Sequence, residues 1–518
     1  MSLELDLLAD RHFRSDPQGV LQCASQTRPG AVCVRMTQEM ASSRGGQHLA
    51  WMLVNLLCRQ FKIIQELVLD VPTTPLQPGV APFGAMASLI ETLEQCVRLV
   101  SGPYVQVRQS CENLNVDVIL LIGTDAAPDQ RHWRLYADGW RYYVGNSGTI
   151  PDTAPASNLS IGPYLCASYA AGEVFKLLRG LRPRKGEFIE HHYASAWTMS
   201  CGDSWQELSD GPGRDGFEVL PHFYFAGAGA VAQAAALCLG SSEFSGSSTV
   251  VDGDTLDLTN GNRYVLSHRE HDKAQKVALM QAYLASNGFD CKPVSMWWEE
   301  FNTSCGRHAI SDSVRRLECD YKFPVVLSCV DKNEPRHALQ QSLPQLIIGG
   351  STDGLTAKAS IFDLGRGTAC LKCHNPIQKR NDIARVRIGE LKLLNEEQLA
   401  RFCREHDITT EEVARFLAPG GCGKLSESDI ERFAANSPEM SVGFVSTAAG
   451  VLLAAQFLRV VALEPAVVAS EGAMSVATFA RAKLRLMHVG VDVKCDCSGQ
   501  LRQRWDSLWQ RSWTSRGQ

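Results

Sequence analysis

Short apolar runs alternate with helical stretches along this chain, and glycine turns join them. Phe223-Tyr224-Phe225-Ala226 leads into Gly227-Ala228-Gly229-Ala230-Val231-Ala232. An Ala-rich segment, Gln233 to Leu239, has the composition of a helix, and Ser248-Thr249-Val250-Val251 is a second apolar run that ends on Asp252. The predicted order is strand, glycine turn, helix, strand, acid. Farther on, Lys276 to Ala285 reads as a helix and Cys291 to Val294 as a strand. Pro324 to Val330 reads as a strand that delivers Asp331.

The region up to about Gly202 repeats this order in a worn form. Ala31 to Met36 is its first strand, a longer loop reaches Gly45-Gly46, and His48 to Phe61 is a strongly apolar helix. Glu66 to Asp70 again ends in an acid, and Val116 to Asp125 matches Pro324 to Asp331. Each half then has short strands and a small-residue helix, Gly162 to Leu181 in the first and Gly443 to Val461 in the second. The pattern predicts one fold used twice, with an unrelated α/β domain as the alternative. The uncharged run Ser441 to Leu458 contains Gln456, is bounded by Arg459, and is expected to pack inside the protein. Expected segments are 1–202, 217–380, 381–439, 440–499 and 500–518, with a linker over Asp203 to Gly216.

Composition narrows the class. With 518 residues, 45% hydrophobic and 21% charged, the chain is globular and has ample core. A net charge of −5 gives no ground for nucleic acid or a polybasic membrane contact. Met1-Ser2-Leu3-Glu4-Leu5-Asp6 lacks a basic flank and an apolar core, which predicts no signal peptide and a cytoplasmic location. Eighteen cysteines in that setting are expected to be reduced, so pairs at metal spacing carry information.

The chemistry starts at the glycine turn. Gly227 permits a tight turn, Gly229 lets the backbone approach phosphate, and small Ala232 lets helix pack on strand. Asp252 lies 20 residues past Ala232, where a ribose-binding carboxylate belongs. Asp252-Gly253-Asp254 is followed by Asn260-Gly261-Asn262-Arg263 and then by Lys276. A nicotinamide oxidoreductase would leave that Asn, Arg and Lys without a task. A triphosphate attacked at its α-phosphorus needs positive charge to stabilise the leaving pyrophosphate.

This order of glycine loop, D-x-D, N-x-x-R and Lys resembles the ThiF/MoeB and ubiquitin-activating-enzyme superfamily, with Ala232 replacing the third glycine. The resemblance implies an α/β fold whose Rossmann-like adenylation domain is preceded by a degenerate, inactive adenylation-like domain. A small helical insertion would carry a catalytic cysteine. It implies ATP binding at Gly227, Gly229, Ala232, Asp252, Asp254, Asn260, Arg263 and Lys276. Asp331 heads Asp331-Lys332-Asn333-Glu334-Pro335-Arg336, similar to the D-N-x-x-x-R that closes the family's ATP site. It is the candidate ligand for a magnesium ion, the alternative being a helix-capping Asp. Arg11-His12-Phe13-Arg14 resembles the family's N-terminal R-x-x-R, which makes Arg14 a candidate arginine finger, or else a solvated surface residue.

Cys370-Leu371-Lys372-Cys373 and Cys495-Asp496-Cys497 offer four soft ligands for a structural zinc, with C-x-C in place of the family's second C-x-x-C. A redox pair at Cys370 and Cys373 is the rival. In the insertion, Pro419-Gly420-Gly421-Cys422-Gly423 resembles the P-G-C of activating enzymes for ubiquitin-like modifiers, and Cys422 becomes the candidate acceptor of a thioester, the alternative being a structural loop cysteine. Cys403 lies in an amphipathic run and is expected to be a packed thiol. The tail, Gln500 to Gln518, spaces its tryptophans helically and either packs back on the body or docks a partner.

The expected activity is therefore ATP-dependent activation of a ubiquitin-like protein that ends in glycine, with handover to a conjugating enzyme. The nearest setting is a bacterial ubiquitin-like conjugation system of the antiphage kind. Expected cofactors are ATP, Mg and Zn, and the assembly is an internal pseudo-dimer or a homodimer. Alternatives are a sulfur-carrier or RNA-modifying adenylyltransferase and a non-catalytic nucleotide-binding scaffold.

Overall fold

The computed structural model describes residues 2–13, 29–109, 115–124, 131–180, 188–217, 219–305, 323–375, 391, 395–396, 398–400, 403, 409–417, 441–463, 468 and 473–513. Most of the segment 381–439, including Cys422, lies outside them, as does Arg14.

The strands of the first half are β1 (Gly30–Met36), β2 (Ile64–Asp70), β3 (Gln106–Gln109), β4 (Val118–Ile122), β5 (His132–Asp138), β6 (Arg141–Gly145), β7 (His191–Ser195) and β8 (Ser200–Gly202). Those of the second are β9 (Leu220–Ala226), β10 (Gly246–Val251), β11 (Phe289–Val294), β12 (Val325–Ser328), β13 (Leu346–Asp353), β14 (Thr356–Phe362), β15 (Met474–Thr478) and β16 (Lys483–Met487). Each half forms one 8-stranded sheet, in the orders β3-β2-β1-β4-β5-β6-β7-β8 and β11-β10-β9-β12-β13-β14-β15-β16. The two orders are the same order. Strands β1 to β5 pair in parallel and the next three add antiparallel, and the second sheet does the same from β9 to β13 and onward. Val118–Ile122 is buried at every position, as a central parallel strand must be.

The helices that position the site are α1 (Ser2–Phe13), α2 (Gln38–Ser42), α3 (Arg44–Leu57), α4 (Leu89–Ser101), α5 (Ile161–Leu178), α6 (Ala230–Ser241) and α7 (Lys276–Ser286). A further helix, Gly443–Ala462, is the hinge of the packing. It is apolar and long enough to cross a membrane, but 89% of its apolar window is buried inside the protein. Gly450 lets it approach α6, since a Cβ there would sit 2.4 Å from the Val231 carbonyl oxygen. On its other side Phe444 meets Phe175 of α5, with ring centroids 5.4 Å apart. One apolar core therefore runs through both halves.

Polar bonds cross the same seam. Lys176 and Glu173 form a buried ion pair at 2.5 Å, and the Lys176 ammonium also donates to the Phe479 carbonyl at 3.1 Å. Cys201 of β8 accepts from the Leu484 N–H of β16 at 3.2 Å, so the edges of the two sheets meet. The C-terminal helix, Gln500–Trp513, packs back on the body. Trp505 and Trp509 are buried and donate their indole N–H groups to the carbonyls of Pro344 and Leu343 at 2.8 and 2.9 Å.

Lys176→Met is expected to cost about 3–5 kcal/mol of stability, because a buried carboxylate is left without its cation. Adding Glu173→Gln should recover part of that loss. Chemical denaturation of the full chain measures both, and a Lys176→Met loss below ~1 kcal/mol, the size of an exposed pair, would rule out a stabilising role for Lys176 at the seam.

Candidate functional site

The site is built at the carboxyl ends of β9, β10 and β12. There the strand order turns from β10 on one side of β9 to β12 on the other, and open α/β sheets bind ligands at such a point. Gly227 leaves β9 with φ +95°, and a Cβ would lie 3.1 Å from the Cys329 carbonyl oxygen. Gly229 then caps α6 in extended conformation with no side-chain hydrogen bond. The first N–H groups of α6 are thus left to an anion, with the positive end of the helix dipole behind them. Ala232 is fully buried beneath this turn.

Asp252 holds the turn shut. Its carboxylate accepts from the Ala228 N–H at 2.6 Å and from the Asp254 N–H at 2.8 Å. Burial raises its pKa, while those two N–H groups oppose the rise. Each oxygen keeps a second lone pair, so a ribose hydroxyl is still a possible donor to it.

The loop after β10 brings the cations in. Lys276 opens α7, is buried, and pairs with Asp254 at 2.5 Å. Burial works against its ammonium, but Tyr264, Asp254 and Asp252 outweigh it and the pKa is raised. The Tyr264 ring lies 5.5 Å from the Lys276 nitrogen and 5.4 Å from the Arg263 guanidinium carbon. Arg263 is held by the Thr259 carbonyl at 3.0 Å and the Asn262 side chain at 2.8 Å. Burial lowers its pKa, and Asp331 supports its charge. Asn260 is buried and accepts from the Asp257 N–H at 3.1 Å, which shapes the turn that carries Arg263.

Beyond β12, Asp331 is exposed. Its loop is fixed by Arg336, which donates to the Val330 carbonyl at 3.0 Å, to Asn333 at 3.0 Å and to Asn375 at 2.9 Å. Asp331 acts electrostatically on both Arg263 and Arg336, so it belongs to the same cluster. The fold thus gathers Gly227, Gly229, Asp252, Asp254, Asn260, Arg263, Lys276 and Asp331 at one mouth. Sequence reasoning passed over Tyr264, the ring shared by both cations, and named Arg336 only as the end of the motif that Asp331 heads.

The matching end of the first sheet carries different side-chain chemistry. Asp70, the counterpart of Asp252, pairs with Arg35 of the adjacent strand at 2.7 Å. The short helix α2 stands where the glycine turn would be, and the Ser43 hydroxyl caps α3 by accepting from the Gly46 N–H at 3.1 Å. An anion site needs uncapped N–H groups, and the Ser43 hydroxyl takes one of those at the start of α3.

The first half instead reaches into the second. Leu8 and Ala9 of α1 and Phe61 form a buried cluster against Leu258. The Ser441 N–H donates to the Arg11 carbonyl at 3.2 Å, and Asn262 donates to the Ser441 carbonyl at 3.1 Å. The end of α1 thus lies beside the loop that carries Arg263.

A separate cluster joins two distant cysteine pairs. The sulfurs of Cys370, Cys373, Cys495 and Cys497 all lie within 4.8 Å of one another. Cys370 is 3.5 Å from Cys495, and Cys373 is 3.4 Å from Cys497 and 3.8 Å from Cys370. Four sulfurs at about 2.3 Å around a tetrahedral zinc would be roughly 3.8 Å apart, so the set fits that ion. The Asp492 N–H donates to the Cys373 sulfur at 3.4 Å, an outer-shell bond of the kind such sites use. Cys403, away from this cluster, is buried as a packed thiol would be.

Residues 221–497, just over half of the chain, match the ThiF family, and the chain belongs to that family. Residues 31–187 match the BilD N-terminal domain. The chain is 24% identical over 355 residues to the uncharacterized protein y4jF of Sinorhizobium fredii (strain NBRC 101917 / NGR234), covering 68% of this chain and 62% of that protein. Among solved structures it is similar to E. coli MccB, at 12% identity and TM-score 0.35, covering 55% of this chain and 67% of that one. MccB solved with AMPCPP and MccA gives 13% identity and TM-score 0.34, covering 55% of this chain and 68% of that one. Enzymes of the ThiF family use ATP and magnesium, and membership supports ATP-dependent adenylation in general.

Proposed function

We propose that the chain activates a ubiquitin-like protein by adenylating its C-terminal glycine and then takes the acyl group as a thioester. The observation that carries the adenylation step is the meeting of Arg263, Lys276 and Asp331 at the uncapped start of α6. A carboxylate oxygen of the modifier attacks the α-phosphorus, the bond to the β-phosphate oxygen breaks, and pyrophosphate leaves. Arg263 and Lys276 stabilise the charge that grows on the phosphates, the largest kind of contribution a preorganised site makes. Asp331 would hold a magnesium ion, which would neutralise charge on the triphosphate. Asp252 receives the ribose. Arg14 follows an α1 whose Arg11 carbonyl is bonded beside Asn262 through Ser441, and it supplies a further positive charge.

In the second step Cys422 loses its thiol proton to solvent, the thiolate attacks the acyl carbonyl carbon, and the acyl C–O bond breaks as AMP leaves. The acceptor then hands the acyl group to the thiol of a conjugating enzyme. Support for a bacterial ubiquitin-like conjugation system comes from the match of residues 31–187 to the BilD N-terminal domain. The four-cysteine cluster is structural in this reading, because four thiolates leave zinc no open position. It ties 495–497 to the helix that starts at Leu371.

Asp331→Ala should slow modifier-dependent exchange of pyrophosphate into ATP by at least ~100-fold, the scale of a lost transition-state stabiliser. Cys422→Ser should leave that exchange intact and abolish the thiol-labile adduct with the modifier on a non-reducing gel. Normal exchange in Asp331→Ala would remove it from the site. A thiol-labile adduct persisting in Cys422→Ser would move the acceptor elsewhere, and exchange without any thioester would favour a carrier adenylyltransferase.

Elemental analysis of the protein purified without added metal should find about one zinc per chain, bound tightly enough to survive purification. A zinc-free preparation, or a disulfide within the four cysteines, would overturn the structural-zinc assignment.

A further inference from the structure

The loop that carries Asn260 and Arg263 is closed from the far side by one buried side chain of the first half. Arg59 follows the end of α3 and is only 1% exposed. Its Nη1 donates to the Gly261 carbonyl and its Nη2 to the Ser267 carbonyl, both at 2.6 Å. Its Nε donates to the Asn55 side chain at 2.9 Å, and Asn55 in turn donates to the Val265 carbonyl at 3.0 Å. One guanidinium thus spans the loop on either side of Arg263, and its neighbour holds the middle.

This arrangement is costly as a stability device. Burial lowers the Arg59 pKa, and no carboxylate pairs with it among the described residues. A guanidinium has five donors in a rigid fork, so it can fix two carbonyls relative to each other where an ammonium cannot. An apolar residue would fill the same space without the desolvation penalty, but it would set no loop conformation.

We propose that Arg59 is a positioning residue for phosphate recognition in the second half. It touches no substrate. By pinning the carbonyls of Gly261 and Ser267, it sets the turn that presents Asn260 and Arg263 to the triphosphate. The inference rests on the adenylation reading. It makes the first half a part of the second half's site.

The test uses the full chain, with Mg-ATP and adenosine as probes in calorimetric titration. Arg59→Met should weaken Mg-ATP by at least ~10-fold, the scale of one hydrogen bond to a charged group, while adenosine affinity stays within about twofold. Arg59→Lys keeps the buried charge and can hold one carbonyl. It should fold even if the Met variant does not, and should show the same selective loss at smaller size. Equal weakening of ATP and adenosine, as general loosening would give, overturns the proposal, and so does unchanged ATP binding in either variant. If the parent chain binds no Mg-ATP, the adenylation reading itself fails, which is a different outcome from either.

Discussion

The packing of helix Gly443–Ala462 between α5 and α6 is the constraint on which the rest depends. A twenty-residue apolar helix has no stable exposed face, so both halves must close over it. Gly450 against Val231 and Phe444 against Phe175 fix how closely they approach. The Lys176 bond to Phe479 and the meeting of β8 with β16 then set their rotation. With the halves locked, α1 and Arg59 fall against the loop over residues 258–267. The candidate site is therefore a product of the seam between two sheets of one strand order, although Asp252, Asn260, Arg263, Lys276 and Asp331 all come from the second.

The two halves share a strand order and differ in local chemistry. Asp252 spends its carboxylate on two N–H groups and stabilises an open glycine turn. Asp70 spends its carboxylate on Arg35, and Ser43 caps the helix that would face an anion. A few side chains separate a mouth with an uncapped glycine turn from one whose acid is paired with an arginine.

Much of the sheet was legible in the sequence, because buried parallel strands are continuous apolar runs. Phe223 to Ala226 and Pro324 to Val330 fall on β9 and β12, and the repeat was visible in the order of such runs. Boundaries were less legible. Helix α3 starts at Arg44 instead of His48, because the Ser43 cap carries Gly45 and Gly46 into the first turn. What no local pattern encodes is contact over distance. Arg59 lies about two hundred positions from Gly261, and Arg35 faces Asp70 only because β1 and β2 pair in that register. The tail's helical tryptophans left two readings open, and only the carbonyls of Pro344 and Leu343 decide between them.

Calorimetric titration of the full chain with Mg-ATP tests most directly the claim that one of two equivalent folds keeps a nucleotide site. The account predicts one site per chain, lost in Lys276→Ala, where the cation at the start of α7 is removed. Two sites per chain, or an unaltered titration in Lys276→Ala, would contradict it.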